Sequence, residues 1–116
     1  MTSLDLAKAF EASFNHAVES QKKQIKHEFE KSIMYINDNI SSYLSVYKKD
    51  DDFHIDVAIF LRFICLDPVK EWASEYFEKM GNVVIESILT GYSYSAGTEI
   101  TKIELKIYAW FLLCHN

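Results

Sequence analysis

The sequence predicts an all-α fold, a compact helical bundle of about five to six helices formed by residues 1–116 as a single domain. Apolar residues recur at the three- and four-residue spacing of an amphipathic helix through most of the chain. No glycine precedes Gly81, and Pro68 is the one proline, so few positions break a helix. The length of 116 residues fits one domain with a core of its own.

The first half of the chain is predicted to form two helices. Thr2 or Ser3 can cap the first of them, and Asp5 then lies in its first turn, where a carboxylate suits the helix dipole. The apolar positions that follow at helical spacing are Leu6, Phe10, Phe14, Val18, Ile25, Phe29, Ile33, Ile36, Ile40, Leu44 and Tyr47. One helix of about 45 residues would be roughly 65 Å long, so we expect a break within residues 19–24.

Three further sequence patterns predict the structure of the middle of the chain, residues 48–81. The charged residues 48–52 predict a loop, whose aspartates can cap the next element. Residues 53–66 are apolar nearly all round, which favours a central buried helix and leaves a buried strand as the alternative. Asp67 followed by Pro68 is typical of a helix start, and Gly81 of a helix end.

The segment from Val83 to Phe111 fits two structures. Apolar residues at helical spacing favour helices on both sides of a loop at residues 91–97. Residues 103–107, however, alternate between apolar and charged, as in a half-buried strand. A C-terminal hairpin over Val83–Phe111, which would make the fold α+β, is therefore the alternative to the bundle.

The sequence contains no motif for catalysis, metal binding or nucleotide binding. His16 and His27, the closest pair of histidines, would lie about 16 Å apart on a helix, too far to share an ion. His54 lies beside Asp56 and the loop aspartates, a pattern typical of a solvated helix cap. No nucleophile elbow, dinucleotide fingerprint or P-loop is present. We therefore expect no enzyme activity, no catalytic residue, no metal site and no cofactor.

Charge and composition restrict the partners. The net charge is −5 and Arg62 is the single arginine, which disfavours direct nucleic-acid binding and favours a protein with a basic surface. No segment has the shape of a signal peptide, and the apolar runs are shorter than the ~20 residues of a membrane span. We expect a cytoplasmic protein that does not bind membranes, with Cys65 and Cys114 as buried free thiols, although a disulfide between them stays open.

Eight residues are the candidates for contacts with a partner. Three glutamates at helical spacing predict an acidic helix face, the aspartate run adds charge, and tyrosines beside serine and glycine are typical of recognition loops. The candidates are Asp50, Asp51, Asp52, Glu71, Glu75, Glu78, Tyr92 and Tyr94.

A small, acidic, aromatic-rich chain of this kind resembles the immunity proteins that bacteria make against their own nuclease toxins. The resemblance is one of type over the whole chain and lies in size, charge and the supply of Tyr, Asp and Glu. It implies an inhibitor, monomeric alone, that binds a cationic toxin domain and occludes its active site. The alternatives are a phage or mobile-element protein that inhibits a host factor, and a self-associating helical regulatory protein with its N-terminal half as the dimer seam.

Overall fold

The computed structural model describes residues 2–39 and 53–108, which form an α+β fold. The elements in chain order are helix α1 (Ser3–Asp38), strand β1 (His54–Leu61), helix α2 (Asp67–Glu78), strand β2 (Val83–Ser93) and strand β3 (Thr98–Tyr108). The predicted all-α bundle of five to six helices is therefore wrong, because these residues form two helices and a three-stranded sheet. The loop predicted at residues 48–52 lies outside the described residues.

The sheet is antiparallel with the strand order β1-β3-β2, so β3 is its central strand. Alternate residues of β3 are buried toward the helices, and the residues between them lie on the outer face. The buried set is Thr101, Ile103, Leu105 and Ile107. β2 and β3 form the hairpin that was the alternative prediction, because the alternation of residues 103–107 places one apolar side chain after another in the core.

Residues 53–66 do not form the predicted central helix. They form β1 and a connecting segment, residues 62–66. The run looks apolar all round because β1 carries apolar side chains on both faces: Ile59 and Leu61 are buried in the core, whereas Phe60 is exposed on the outer face. The strand is stabilised by its pairing with β3, more than 40 residues later in the sequence, which a local pattern does not reveal.

Helix α1 is continuous, so the break predicted within residues 19–24 is wrong. Those residues include no glycine or proline, and Gln, Lys and Glu are good helix formers. The predicted start is confirmed: the Thr2 side chain caps the helix, accepting from the Asp5 backbone N–H at 3.2 Å, and the Asp5 carboxylate accepts from the Thr2 hydroxyl at 2.8 Å. Four residues of α1 are buried, and they are Val18, Ile25, Phe29 and Ile36.

Helix α2 starts with Asp67 and Pro68 in its first turn, as predicted, although the Asp67 side chain makes no capping bond. The chain leaves it through Gly81, whose φ of +71° is the left-handed conformation expected of a glycine after a helix. Phe77 of α2 packs edge-on against Phe29 of α1, with ring centroids 5.1 Å apart, at the centre of the core. Both helices therefore cover the same face of the sheet.

The segment at residues 62–66 ties the two helices to the sheet. The Thr101 hydroxyl donates to the carbonyl of Phe63 at 2.6 Å and accepts from the N–H of Cys65 at 3.0 Å. The Gln21 amide donates to the carbonyl of Ile64 and accepts from the N–H of Leu66. Gln21 and Thr101 therefore lie at the same end of the body, where β1 finishes. No helix among the described residues is long and apolar enough to cross a membrane.

Candidate protein-binding surfaces

The β2–β3 hairpin extends past the end of β1. The pairing of β1 with β3 ends at Leu61 and Thr101, whereas the pairing of β2 with β3 continues to Ser93 and Thr98. Three more residues of extended strand reach about 10 Å farther. We call residues 92–99 the hairpin tip.

The hairpin tip carries the two tyrosines predicted to contact a partner. Tyr94 is 94% exposed and Tyr92 is 59% exposed. Their rings meet edge to face, with centroids 5.4 Å apart and an interplanar angle of 83°. Glu99 pairs with Tyr92 across the hairpin and is also exposed, so a carboxylate lies beside the aromatic pair. Two rigid rings with polar ends next to a carboxylate suit a basic protein surface.

Short hydrogen bonds hold the turn that presents these rings. The Gly97 N–H donates to the Ser93 carbonyl at 2.8 Å, and the Ala96 N–H donates to the Ser93 hydroxyl at 3.2 Å. Gly97 has φ of +66°, a conformation that L side chains rarely adopt. The turn is therefore preorganised, which lowers the entropy lost when the tip binds.

The acidic helix face is present, and its C-terminal end lies apart from the hairpin tip. Glu71, Glu75 and Glu78 are exposed on the side of α2 opposite its buried residues, and none forms an ion pair within the described residues. The C-terminal end of α2 adjoins the start of β2, about 30 Å from Tyr92 along nine residues of strand. Glu99 is the carboxylate that the fold brings to the tip, and it is not among the eight candidates predicted from the sequence. Asp50, Asp51 and Asp52 lie outside the described residues.

The outer face of the sheet has its charges paired. Lys106 contacts Glu86 at 3.1 Å, and Lys102 contacts Glu104 at 3.5 Å. The hydrogen bond that the Lys106 ammonium donates to the Glu86 carboxylate raises the pKa of Lys106. The Lys102 ammonium also lies 5.8 Å from the centre of the Phe60 ring. Because these charges already have partners, this face offers less to a charged protein than the hairpin tip does.

Among the described residues, the His54 imidazole lies 3.6 Å from a carboxylate oxygen of Asp56. The Cys65 thiol is buried in the core, and burial raises its pKa, although Lys70 acts in the opposite direction. A raised pKa keeps the thiol protonated and poorly nucleophilic. No group of three or more His, Cys, Asp or Glu side chains within residues 2–39 and 53–108 could hold a metal ion.

The feature that sequence reasoning did not anticipate is the exposure of the start of α1. Residues 3–16 are all exposed, and Leu6, Phe10 and Phe14 of the predicted apolar stripe contribute nothing to the core. We call residues 3–17 the arm. It leaves the body beyond Gln21, at the same end as the hairpin tip.

Comparison of the chain with protein-family models, with curated proteins and with solved structures found no match.

Proposed function

We propose that the protein is an inhibitor of the toxin-immunity type, which acts in the cytoplasm and occludes the active site of a cationic toxin domain. The observation that carries the proposal is the hairpin tip. Tyr94 and Tyr92 are exposed, in edge-to-face contact and placed on the part of the sheet that projects farthest beyond β1. A narrow projection of this kind can enter a cleft that a flat surface cannot.

The chemistry of the tip and of the whole chain favours a cationic target. A nuclease active site holds phosphate with Lys and Arg, and a carboxylate such as Glu99 can pair with those groups when substrate is absent. The net charge of −5 speeds association with a basic partner by electrostatic steering. The acidic face of α2 adds to the steering even though it lies outside the contact made by the tip.

Tyrosine is a frequent hot-spot residue, so the tip can be tested by truncation. We expect Tyr94→Ala combined with Tyr92→Ala to weaken the complex by at least about 30-fold, because even one hot-spot side chain contributes about 2 kcal/mol or more. Tyr35→Ala is the matched control, since Tyr35 is 67% exposed but lies on α1 away from the tip. The affinities are measured by calorimetry with the product of the adjacent reading frame.

Expression of this protein together with the product of the adjacent reading frame gives the decisive test of function. Co-expression of the protein should rescue growth from the neighbouring gene product, and the variant with both tyrosines truncated should rescue it less well. The absence of rescue together with the absence of a stable complex would refute the proposal. If the association rate did not fall as salt rises, the electrostatic part of the argument would be wrong.

A further inference from the structure

The arm carries an apolar face that no described part of the molecule covers. Phe10 is 68% exposed, and Leu4, Leu6 and Phe14 are exposed with it. A Phe side chain presents 150–250 Å² when free, so the four side chains together present on the order of 500 Å². Single apolar patches of this size on a soluble protein are often interaction sites.

The exposed face has the spacing of a coiled-coil seam. Its residues follow one another at intervals of four, three, four, three and four, and they are Ser3, Ala7, Phe10, Phe14, Ala17 and Gln21. Leu4 and Leu6 flank this line on its two sides. The next residues in the same register, Gln24 and Glu28, are polar, so the seam ends where the body begins.

We propose that the seam of the arm binds the seam of a second copy of this chain, with the two helices antiparallel. The seam has the same pattern from both ends, which is what a two-fold interface requires. With the axis at residue 12, Phe10 meets Phe14 of the second copy, Ala7 meets Ala17, and Ser3 meets Gln21. The four phenylalanines form the centre of the interface, the alanines allow the helices to approach closely, and polar residues close both ends.

The position of Gln21 fits this arrangement. Gln21 is the point at which α1 bonds to residues 62–66 of its own body. Ser3 of each arm would therefore lie where the body of the other copy begins. Ile64, an exposed residue of that segment, would meet the tip of the incoming arm. Two arms would bury about 1,000 Å² in total, the lower end for a specific interface, so we expect a dimer of micromolar affinity.

The charges of the arm favour a second copy over a lipid surface. Asp5 and Glu11 accompany a single Lys8, whereas helices that lie on membranes carry many basic residues on their polar face. Glu11 flanks the seam one residue from the axis, so it would meet Glu11 of the second copy. Like charges at this point should weaken the dimer, and this contact would arise in the antiparallel arrangement alone.

Sedimentation equilibrium of the full chain, from about 1 to about 200 µM, tests the proposal. We expect a monomer–dimer equilibrium. Phe10→Glu should weaken the dimer at least about 30-fold, and it should leave the circular dichroism of the body and its Tm unchanged. Met34→Glu is the matched control, because Met34 is 65% exposed on the same helix but outside the seam, and it should leave the dimer intact. Glu11→Gln should tighten the dimer severalfold.

Each result tests the proposed dimer independently of the proposed inhibitory function. A monomer at every concentration would overturn it, and so would a dimer that survives Phe10→Glu. Binding of the monomer to anionic lipid vesicles would assign the arm to a membrane instead. A dimer that Glu11→Gln does not tighten would overturn the antiparallel arrangement. A dimer also departs from the monomer predicted from the sequence, and the same measurement decides between them.

Discussion

Thr101 joins the central strand to the segment that connects β1 with α2. It is fully buried, and its hydroxyl makes bonds to Phe63 and Cys65 on that segment. We expect Thr101→Val to lower the free energy of unfolding by about 2–4 kcal/mol, because two buried backbone groups lose their partner while the shape is kept. Urea denaturation measures the loss. Thr101→Ser keeps the hydroxyl and should cost only about 1 kcal/mol, and equal losses for the two variants would contradict the argument.

Tyr76 makes stability depend on pH in the alkaline range. Burial raises the pKa of its phenol above the ordinary value of 10.0, and Glu30 adds to the effect. The folded state therefore favours the neutral phenol. The stabilisation is complete below about pH 10 and is lost as the pH rises through the pKa of the folded state. We expect Tm to fall above pH 10 and Tyr76→Phe to reduce that fall in thermal scans. Tyr94→Phe, which changes an exposed ring, should leave the fall unchanged.

Gln21 is the residue that fixes where the arm leaves the body. Its amide both donates and accepts, with bonds of 3.0 Å to the Ile64 carbonyl and 2.9 Å to the Leu66 N–H. Gln21→Glu keeps the acceptor and places a carboxylate oxygen against the Ile64 carbonyl. We expect a loss of about 1–2 kcal/mol at pH 7 in denaturant titrations, and recovery of part of it at a pH low enough to protonate the glutamate. A loss that does not depend on pH would argue against this bond.

At the scale of elements, the hairpin turn depends on a single glycine conformation. We expect Gly97→Ala to destabilise the protein by about 1 kcal/mol, because its left-handed φ costs a residue with a Cβ about that much, while no neighbouring atom obstructs the Cβ. Gly91→Ala is the control within the same hairpin, since Gly91 has no positive φ and an open surrounding. That substitution should be neutral or stabilising, as glycine within a strand is unfavourable. Equal effects at the two positions would contradict the assignment of strain to Gly97.

The elements also show how far the sequence could predict the fold. The N-terminal cap of α1 and the start and end of α2 were predictable, because Thr2, Asp67, Pro68 and Gly81 act on their own neighbourhood. The strands were not, because the same apolar residues satisfy a helical and an alternating pattern, and partners distant in sequence decide between them. The tyrosines of the candidate site could be predicted from composition. Glu99 could not, because it joins them only through the register of the hairpin.

At the scale of the whole molecule, the arm makes the protein long. Its extents are 65 × 33 × 21 Å and its radius of gyration is 17.6 Å, against roughly 13 Å for a compact chain of this length. The break predicted in α1 followed from the assumption that the chain packs into a sphere. The helix instead continues past the core, and its buried residues begin at Val18.

The two halves of α1 should therefore respond differently to proline. Lys23→Pro interrupts the helix between Val18 and Ile25 of the core, and we expect it to cost about 3 kcal/mol or more. Ala9→Pro interrupts the exposed arm and should leave the unfolding free energy of the body unchanged, while it lowers helicity and dissociates the dimer. Circular dichroism and denaturant titration measure the two effects. A similar loss of stability in both variants would mean that the arm folds as part of the body.

The position of β3 has a consequence for synthesis of the chain. β1 and β2 each pair with β3 alone, yet β3 is the last of the described elements to leave the ribosome. Until it emerges, neither strand has its hydrogen-bonding partner, and the apolar inner faces of β1 and α2 have no sheet to complete the core. The nascent chain therefore exposes these surfaces until β3 emerges, and we expect its body to fold in one late step when β3 arrives.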